Sequence, residues 1–164
     1  MSYITLDTGL NGAMVLWDEF FNPLDGLTFK KFGMGINPFE IDKKLKEWKA
    51  EKIYIERVGA RPNQGSKSTF TQGFVCGQLH TISQFNCDHV EYIWSMQWTS
   101  FTKKLSAFPE NPSKIIALEL AERFFPCFIQ DFKTPRSKKA HDGIVDCLAI
   151  GIYINRDNYI DFLP

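Results

Sequence analysis

Four carboxylates of this sequence sit where carboxylates are uncomfortable. The segment from Gly143 to Tyr153 is apolar nearly all the way round, as a buried helix is. It carries Asp146 in mid-run, and Asp142 lies four residues earlier, stacked on the same helix face, where like charges repel. Asp7 ends a core-like strand immediately before a glycine turn, and Glu56 interrupts the apolar run from Lys52 to Val58. Burying a carboxylate without a partner costs enough that the group protonates or binds a cation. Four such acids, far apart in sequence and carried on strands and a helix, are candidates to converge around divalent cations. Hard oxygen ligands favour magnesium or manganese. Two such ions about 3.5–4 Å apart activate a water and stabilise the leaving oxygen in phosphodiester cleavage. Each acid alone has a plainer reading. Asp7 is a turn-former, Glu56 a partner for Arg57 or a lysine, and Asp142 an acid favoured by a helix N-terminus. Asp146 is the hardest to explain that way.

The elements that must carry these acids follow from periodicity and turn residues. Tyr3 to Asp7 alternates, with Ile4 and Leu6 on one face and Tyr3, Thr5 and Asp7 on the other, which predicts a strand. Asn11-Gly12 is a hairpin signal, because both residues tolerate positive φ, and Ala13 to Trp17 returns as a second strand. A third strand is predicted around Leu27 to Phe32. Asn37, Pro38 and Glu40 supply a cap, a first-turn proline and a carboxylate that reaches back, so a helix opens there. Ile41, Leu45 and Trp48 form its packed stripe. Lys52 to Val58 is the next strand, and Arg61 to Ser66 is a loop. A helix from about Thr69 to Gln84 carries Phe70, Phe74 and Ile82, and its Gly73 and Gly77, one turn apart, predict an element packed closely on it. His89 to Trp94 reads as a strand. Asn111-Pro112 caps a helix through Ile115, Leu118 and Ala121 that ends at Phe125-Pro126, and a final helix runs from about Lys139 to Tyr153. Hairpin-linked strands followed by alternating helices and strands imply an α/β protein, a mixed sheet of about five strands flanked by helices.

The 164 residues read as a single domain, 1–164, with a full-sized core rich in aromatics: fifteen Phe, five Tyr and four Trp. No run of eighteen apolar residues exists, so no membrane span is predicted, and the first residues lack the pattern of a secretory signal. The expected location is the cytoplasm. Cys76, Cys87, Cys127 and Cys147 show no C-x-x-C spacing and no paired histidines, and read as buried reduced thiols rather than a zinc site. The formal net charge of zero argues weakly against a nucleic-acid partner. Its distribution argues the other way, because Lys133 to Lys139 holds four basic residues and no acid.

With the acids in this order, the sequence resembles the RuvC-type Holliday junction resolvases of the RNase H-like superfamily, in pattern the short phage-type members. The run from Ile4 to Ala13 resembles their first strand and turn, and Ile53 to Val58 their second acidic strand. Ser113 to Leu118 with Phe125-Pro126 resembles the helix before the last, and His141 to Ala149 the terminal acidic helix. The resemblance spans nearly the whole chain. It implies an RNase H-like fold, a homodimer, and two magnesium ions per active site, with manganese as a substitute. It implies paired symmetric nicks across a four-way DNA junction, leaving 5′-phosphate and 3′-hydroxyl ends, and work in the cytoplasm, the host's if the chain is phage-encoded. It carries Asp7, Glu56 and Asp146 over as catalytic metal ligands and Lys114 as a DNA contact, with a further lysine matching Lys103 or Lys104. The family's fourth ligand falls here on Gly143, so Asp142 is taken in its place, with His141 adjacent as the alternative. The aromatic wedge of some bacterial members falls on Gly59, which leaves Phe70 or the Arg61 to Ser66 loop for that role. Phosphate contacts are expected from Arg61, Lys67, Lys114, Arg136, Lys138 and Lys139.

Competing readings remain at this point. A related nuclease for flaps, hybrids or other branched DNA shares the same residues. A silent nucleic-acid-binding module would have no use for buried carboxylates. A sugar-kinase-like phosphotransferase would share the Asp7-Thr8-Gly9 hairpin but needs a second nucleotide-binding half that this length does not hold.

Overall fold

Short runs of β-branched and aromatic residues build the middle of the molecule, where they can be covered on both sides. The computed structural model describes residues 1–59, 64–133 and 139–163. Strands β1 (Tyr3–Asp7), β2 (Ala13–Trp17), β3 (Pro23–Thr28), β6 (Lys52–Arg57) and β7 (Val90–Trp94) form one sheet in the order β3-β2-β1-β6-β7. β1 pairs antiparallel with β2 and parallel with β6, and β6 pairs parallel with β7, so the sheet is mixed as expected. A small hairpin, β4 (Lys31–Phe32) with β5 (Gly35–Ile36), stands apart.

Helices cover both faces. Helices α1 (Pro38–Trp48) and α2 (Ser66–Asn86) meet Ile4, Leu6, Met14, Ile53 and Ile55 through Ile41, Leu45, Val75 and Leu79. The other face is covered by α3 (Ser95–Leu105), α4 (Ser113–Phe124) and α6 (Asp142–Ile154), with the short α5 (Pro126–Gln130) and a closing 3₁₀ turn (Arg156–Phe162). β1 is therefore buried on both faces. Its one polar core residue, Thr5, is satisfied on both sides: its hydroxyl accepts from Trp17 Nε1 (3.0 Å) and donates to the Cys147 carbonyl (3.0 Å). Two glycines let α6 lie close on the sheet. A Cβ at Gly151 would collide with the Trp17 ring, and one at Gly143 would stand 2.7 Å from the Asn11 carbonyl oxygen in the β1–β2 turn.

Several local expectations need correction. Neither Asn11 nor Gly12 adopts positive φ. Gly12 is required by space instead, because a Cβ there would meet the Asp7 carbonyl oxygen. The third strand starts at Pro23 rather than near Leu27, and the residues after Thr28 turn away into the β4–β5 hairpin. Asn37 caps α1 as read, accepting from the Phe39 amide (3.2 Å), but Glu40 pairs with Lys30 (2.7 Å) instead of reaching back. In α2 the buried residues are Val75, Leu79 and Ser83, while Phe70 and Phe74 are exposed, and among the described residues nothing packs on Gly73 or Gly77. α4 buries Ile116, Ala117, Leu120 and Ala121, so Ile115 faces outward, and no side chain caps it. α3 and α5 were not anticipated. Of the cysteines, all free, only Cys147 is buried, and Cys127 is exposed. Among the described residues, no helix is long and apolar enough to cross a membrane.

Candidate active site

The sheet and α6 bring three of the four acids to one place. The β1–β6 register pairs Leu6 with Ile55, which sets Asp7 beside Glu56 at the same sheet end, on neighbouring strands about 4.8 Å apart. Both follow, at a spacing of two, residues that face α6 and α3, Thr5 and Tyr54. Asp146 enters from α6, held down by the Gly143 contact with the β1–β2 turn. Asp7, Glu56 and Asp146 line one open cleft of about 1170 Å³, together with Thr8, Lys67 and Lys114. Glu56 is only 7% exposed.

The electrostatics are those of crowded like charges out of water. Burial first, then the Glu56 and Asp146 carboxylates and a hydrogen bond with Glu56, push Asp7 well above the ordinary carboxylate range; Lys114 pulls weakly the other way. Burial and then Glu56 push Asp146 up to about 7. In this arrangement Asp7 and Glu56 contact each other, and among the described residues no three of His, Cys, Asp and Glu enclose a point that would hold an ion. The donor set still fits a hard cation by its chemistry. It is all oxygen, it is buried, and its mutual repulsion is the kind a divalent charge relieves.

Asp142 stands differently. Its side chain is about half exposed, at 48%, and it does not line the cleft. Lys114 Nζ lies 3.1 Å from one of its oxygens and Lys139 Nζ 3.8 Å from the other. Burial works against its ionisation, but the Lys114 hydrogen bond and both lysine charges hold its carboxyl below the usual range. It shares the α6 face with Asp146 as read, yet sits at the rim. His141 precedes α6 without capping it, and its buried Nδ1 meets no hydrogen-bond partner among the described residues.

Of the basic residues, Lys67 in the first turn of α2 and Lys114 in the first turn of α4 reach the cleft. Lys139 pairs with Asp142 at the rim. Arg61, Arg136 and Lys138 lie outside the described residues, as does most of the basic stretch from Lys133 to Lys139. Lys103 and Lys104 are exposed in the last turn of α3 and do not line the cleft.

Two cleft residues escaped the reading of the sequence. Thr8 is 1% exposed and lines the cleft, with the Cys76 thiol beside its hydroxyl. Trp98, from the unanticipated α3, donates its indole N–H to Glu56 Oε1 at 3.0 Å. The signal for α3 was present in the buried spacing Trp98, Thr102 and Leu105, but a threonine in the middle breaks the apolar stripe.

No family model and no curated protein matches the sequence. Solved structures do. A structure of T. thermophilus RuvC in complex with a Holliday junction substrate aligns with a TM-score of 0.61 at 12% identity, covering 99% of this chain and 98% of that one. A second structure, T. thermophilus RuvC, aligns with a TM-score of 0.57 at 13% identity, covering 96% of this chain and 97% of that one. Identity this low speaks to architecture, and the architecture is clear: the chain has the RNase H-like fold of RuvC, a mixed five-stranded sheet flanked by helices.

Proposed function

We propose that this chain is a divalent-metal-dependent endodeoxyribonuclease, a single domain that resolves four-way DNA junctions by paired symmetric nicks. The observation that carries the reading is the convergence of Asp7, Glu56 and Asp146 in one open cleft. The fold it shares with a RuvC bound to a Holliday junction adds support. Magnesium, or manganese in its place, held by these carboxylates would supply activation of a water and stabilisation of the leaving oxygen. Asp7 and Asp146 must first give up the protons that burial and crowding keep on them. Asp142, paired at the rim with Lys114 and Lys139, would be the fourth residue to hold the ion, with His141 as the alternative from the same helix end.

Lys67 and Lys114 flank the acids and are assigned to backbone phosphates; Lys139, with Arg61, Arg136 and Lys138, extends that contact. Phe70, 63% exposed one turn beyond Lys67 and stacked on Phe74 with ring centroids 6.5 Å apart, is the aromatic side chain suited to wedge into an opened junction. Paired nicks need two active sites, and a homodimer supplies them. The bare Gly73–Gly77 face of α2, beside a groove of about 520 Å³ lined by His80 and Tyr92, is where a second copy would pack. The reading places this work in the cytoplasm, the host's if the chain is phage-encoded.

The contact between Asp7 and Glu56, with no three acids enclosing an ion point among the described residues, favours a second reading, a non-catalytic DNA-binding module. Cleavage of a labelled four-way junction beside linear duplex, flap and hybrid, with magnesium and with EDTA, separates the readings. Paired magnesium-dependent nicks in the junction alone are expected. Equal cutting of flaps or hybrids would replace the resolvase with a broader nuclease, and tight binding without cutting would establish the module.

A further inference from the structure

Glu56 is held from outside the carboxylate cluster. Trp98 is 4% exposed, and its ring belongs to the core that includes Ala117, Ala121 and Leu148. It also borders the cleft, and its Nε1–H donates to Glu56 Oε1 across 42 residues of sequence. Both side chains are buried, and each satisfies a polar group of the other.

The chemistry of this donor is specific. An indole N–H donates and never accepts, so the contact has one polarity only. The indole is also neutral. A lysine or arginine in its place would cancel the negative charge that draws a cation, whereas the indole orients the carboxylate and leaves its charge intact. The terminal torsion of a glutamate is broad and two-fold, so an unrestrained Glu56 would sample many orientations. With Oε1 engaged by the buried Trp98 ring, the carboxylate's orientation among Asp7 and Asp146 is restricted.

We propose that Trp98 is a positioning residue: its indole N–H sets the orientation of the Glu56 carboxylate and thereby raises the affinity of the cleft for a divalent cation. This assignment rests on the metal-site reading above. It makes α3 part of the site, although α3 contributes no acid.

Calorimetric titration of the full chain with Mn²⁺ tests it, comparing wild type with Trp98→Phe, which keeps an aromatic ring and removes the N–H. Binding about 10-fold or more weaker in the variant is expected, in line with the loss of groups that orient metal ligands. A tryptophan that only fills the core would lower the melting temperature of the variant and leave its Mn²⁺ affinity unchanged. Should the variant not fold, the indole N–H resonance of Trp98 in wild-type protein, followed during a Mg²⁺ titration, carries the test. It should move upfield as the ion draws electron density from Glu56, and saturate at the concentration where binding saturates. Wild type that binds while W98F binds equally, or while the Trp98 indole stays still, overturns the Trp98 assignment alone. Wild type that takes up no ion overturns the metal-site reading and the Trp98 role with it.

Discussion

Among the residues of the cleft, Asp146 gives the most direct test, because burial and the Glu56 charge outweigh the help that Lys114 gives its ionised form. Asp146→Asn keeps the shape and removes the charge. Junction binding should persist while magnesium-dependent cutting falls by at least about 10³-fold, roughly 4 kcal/mol of barrier, measured by gel shift and single-turnover cleavage. Unchanged cutting would remove Asp146 from the site. The same residue sets a pH dependence. Its carboxyl titrates at about 7 in the fold against 3.8 in an unfolded chain, so the folded state binds the proton more tightly. The contribution of this carboxyl to the stability of ion-free protein should therefore be greatest below about pH 4, fall as pH rises to about 7, and change little beyond. Asp7, raised for the same reasons, adds in the same direction. A divalent ion competes with those protons. Mg²⁺ should thus raise the melting temperature more at pH 8 than at pH 5.5, and an equal rise at both would contradict the assignment.

Among the elements, α6 is the one whose seating matters most, since it delivers Asp146 to acids held by β1 and β6. Gly143 is the point of contact: a Cβ there would stand 2.7 Å from both the Asn11 carbonyl oxygen and the Gly12 carbonyl carbon. These are backbone atoms of a tight turn and have little room to yield. Gly143→Ala should cost about 1–3 kcal/mol as an overpacked contact. Calorimetry would read this as a fall in melting temperature of roughly 2–4 °C per kcal/mol. Cleavage should fall as well, because Asp146 lies one turn along the helix that must lift. A variant with wild-type melting and wild-type cutting would mean that α6 is not seated by this glycine.

For the whole molecule, the feature that bears on assembly is the side of α2 that carries Gly73 and Gly77. Among the described residues nothing packs on Gly73 or Gly77, and the edge strand β7 exposes Tyr92 and Trp94, with Arg57 stacked 4.5 Å over the Trp94 ring. An aromatic, glycine-floored groove at a sheet edge is a liability in a monomer and an asset in a symmetric pair. Gly77→Arg fills the groove with charge and touches no core residue. Light scattering should give a dimer mass for wild type and a monomer mass for the variant, and the variant should nick junction strands singly rather than in pairs. A monomeric wild type would end the dimer reading without touching the carboxylate site.

Much of this was legible in the chain. Alternation placed β1 to the residue and the return after the Asn11-Gly12 turn placed β2, while the polarity of Asp146 inside an apolar helix marked it as a candidate site residue. Local chemistry carries such features, because strand periodicity and the cost of a buried charge depend on near neighbours in sequence. What depended on distant neighbours was not legible. Gly12 looked like a positive-φ turn residue and proved to be a matter of clearance from Asp7; Gly73 and Gly77 looked like a packing seam and proved bare. Asp142 and Asp146 looked equivalent on one helix face. Only packing separates them, since Lys114 from α4 draws Asp142 to the rim while the sheet closes over Asp146. Trp98 was invisible as a site residue because its partner is 42 positions away. The sequence thus determines which groups are chemically able to act, through residue type and local pattern. Tertiary structure decides which of them meet, because register, helix seating and the reach of one buried N–H are properties of contacts between elements.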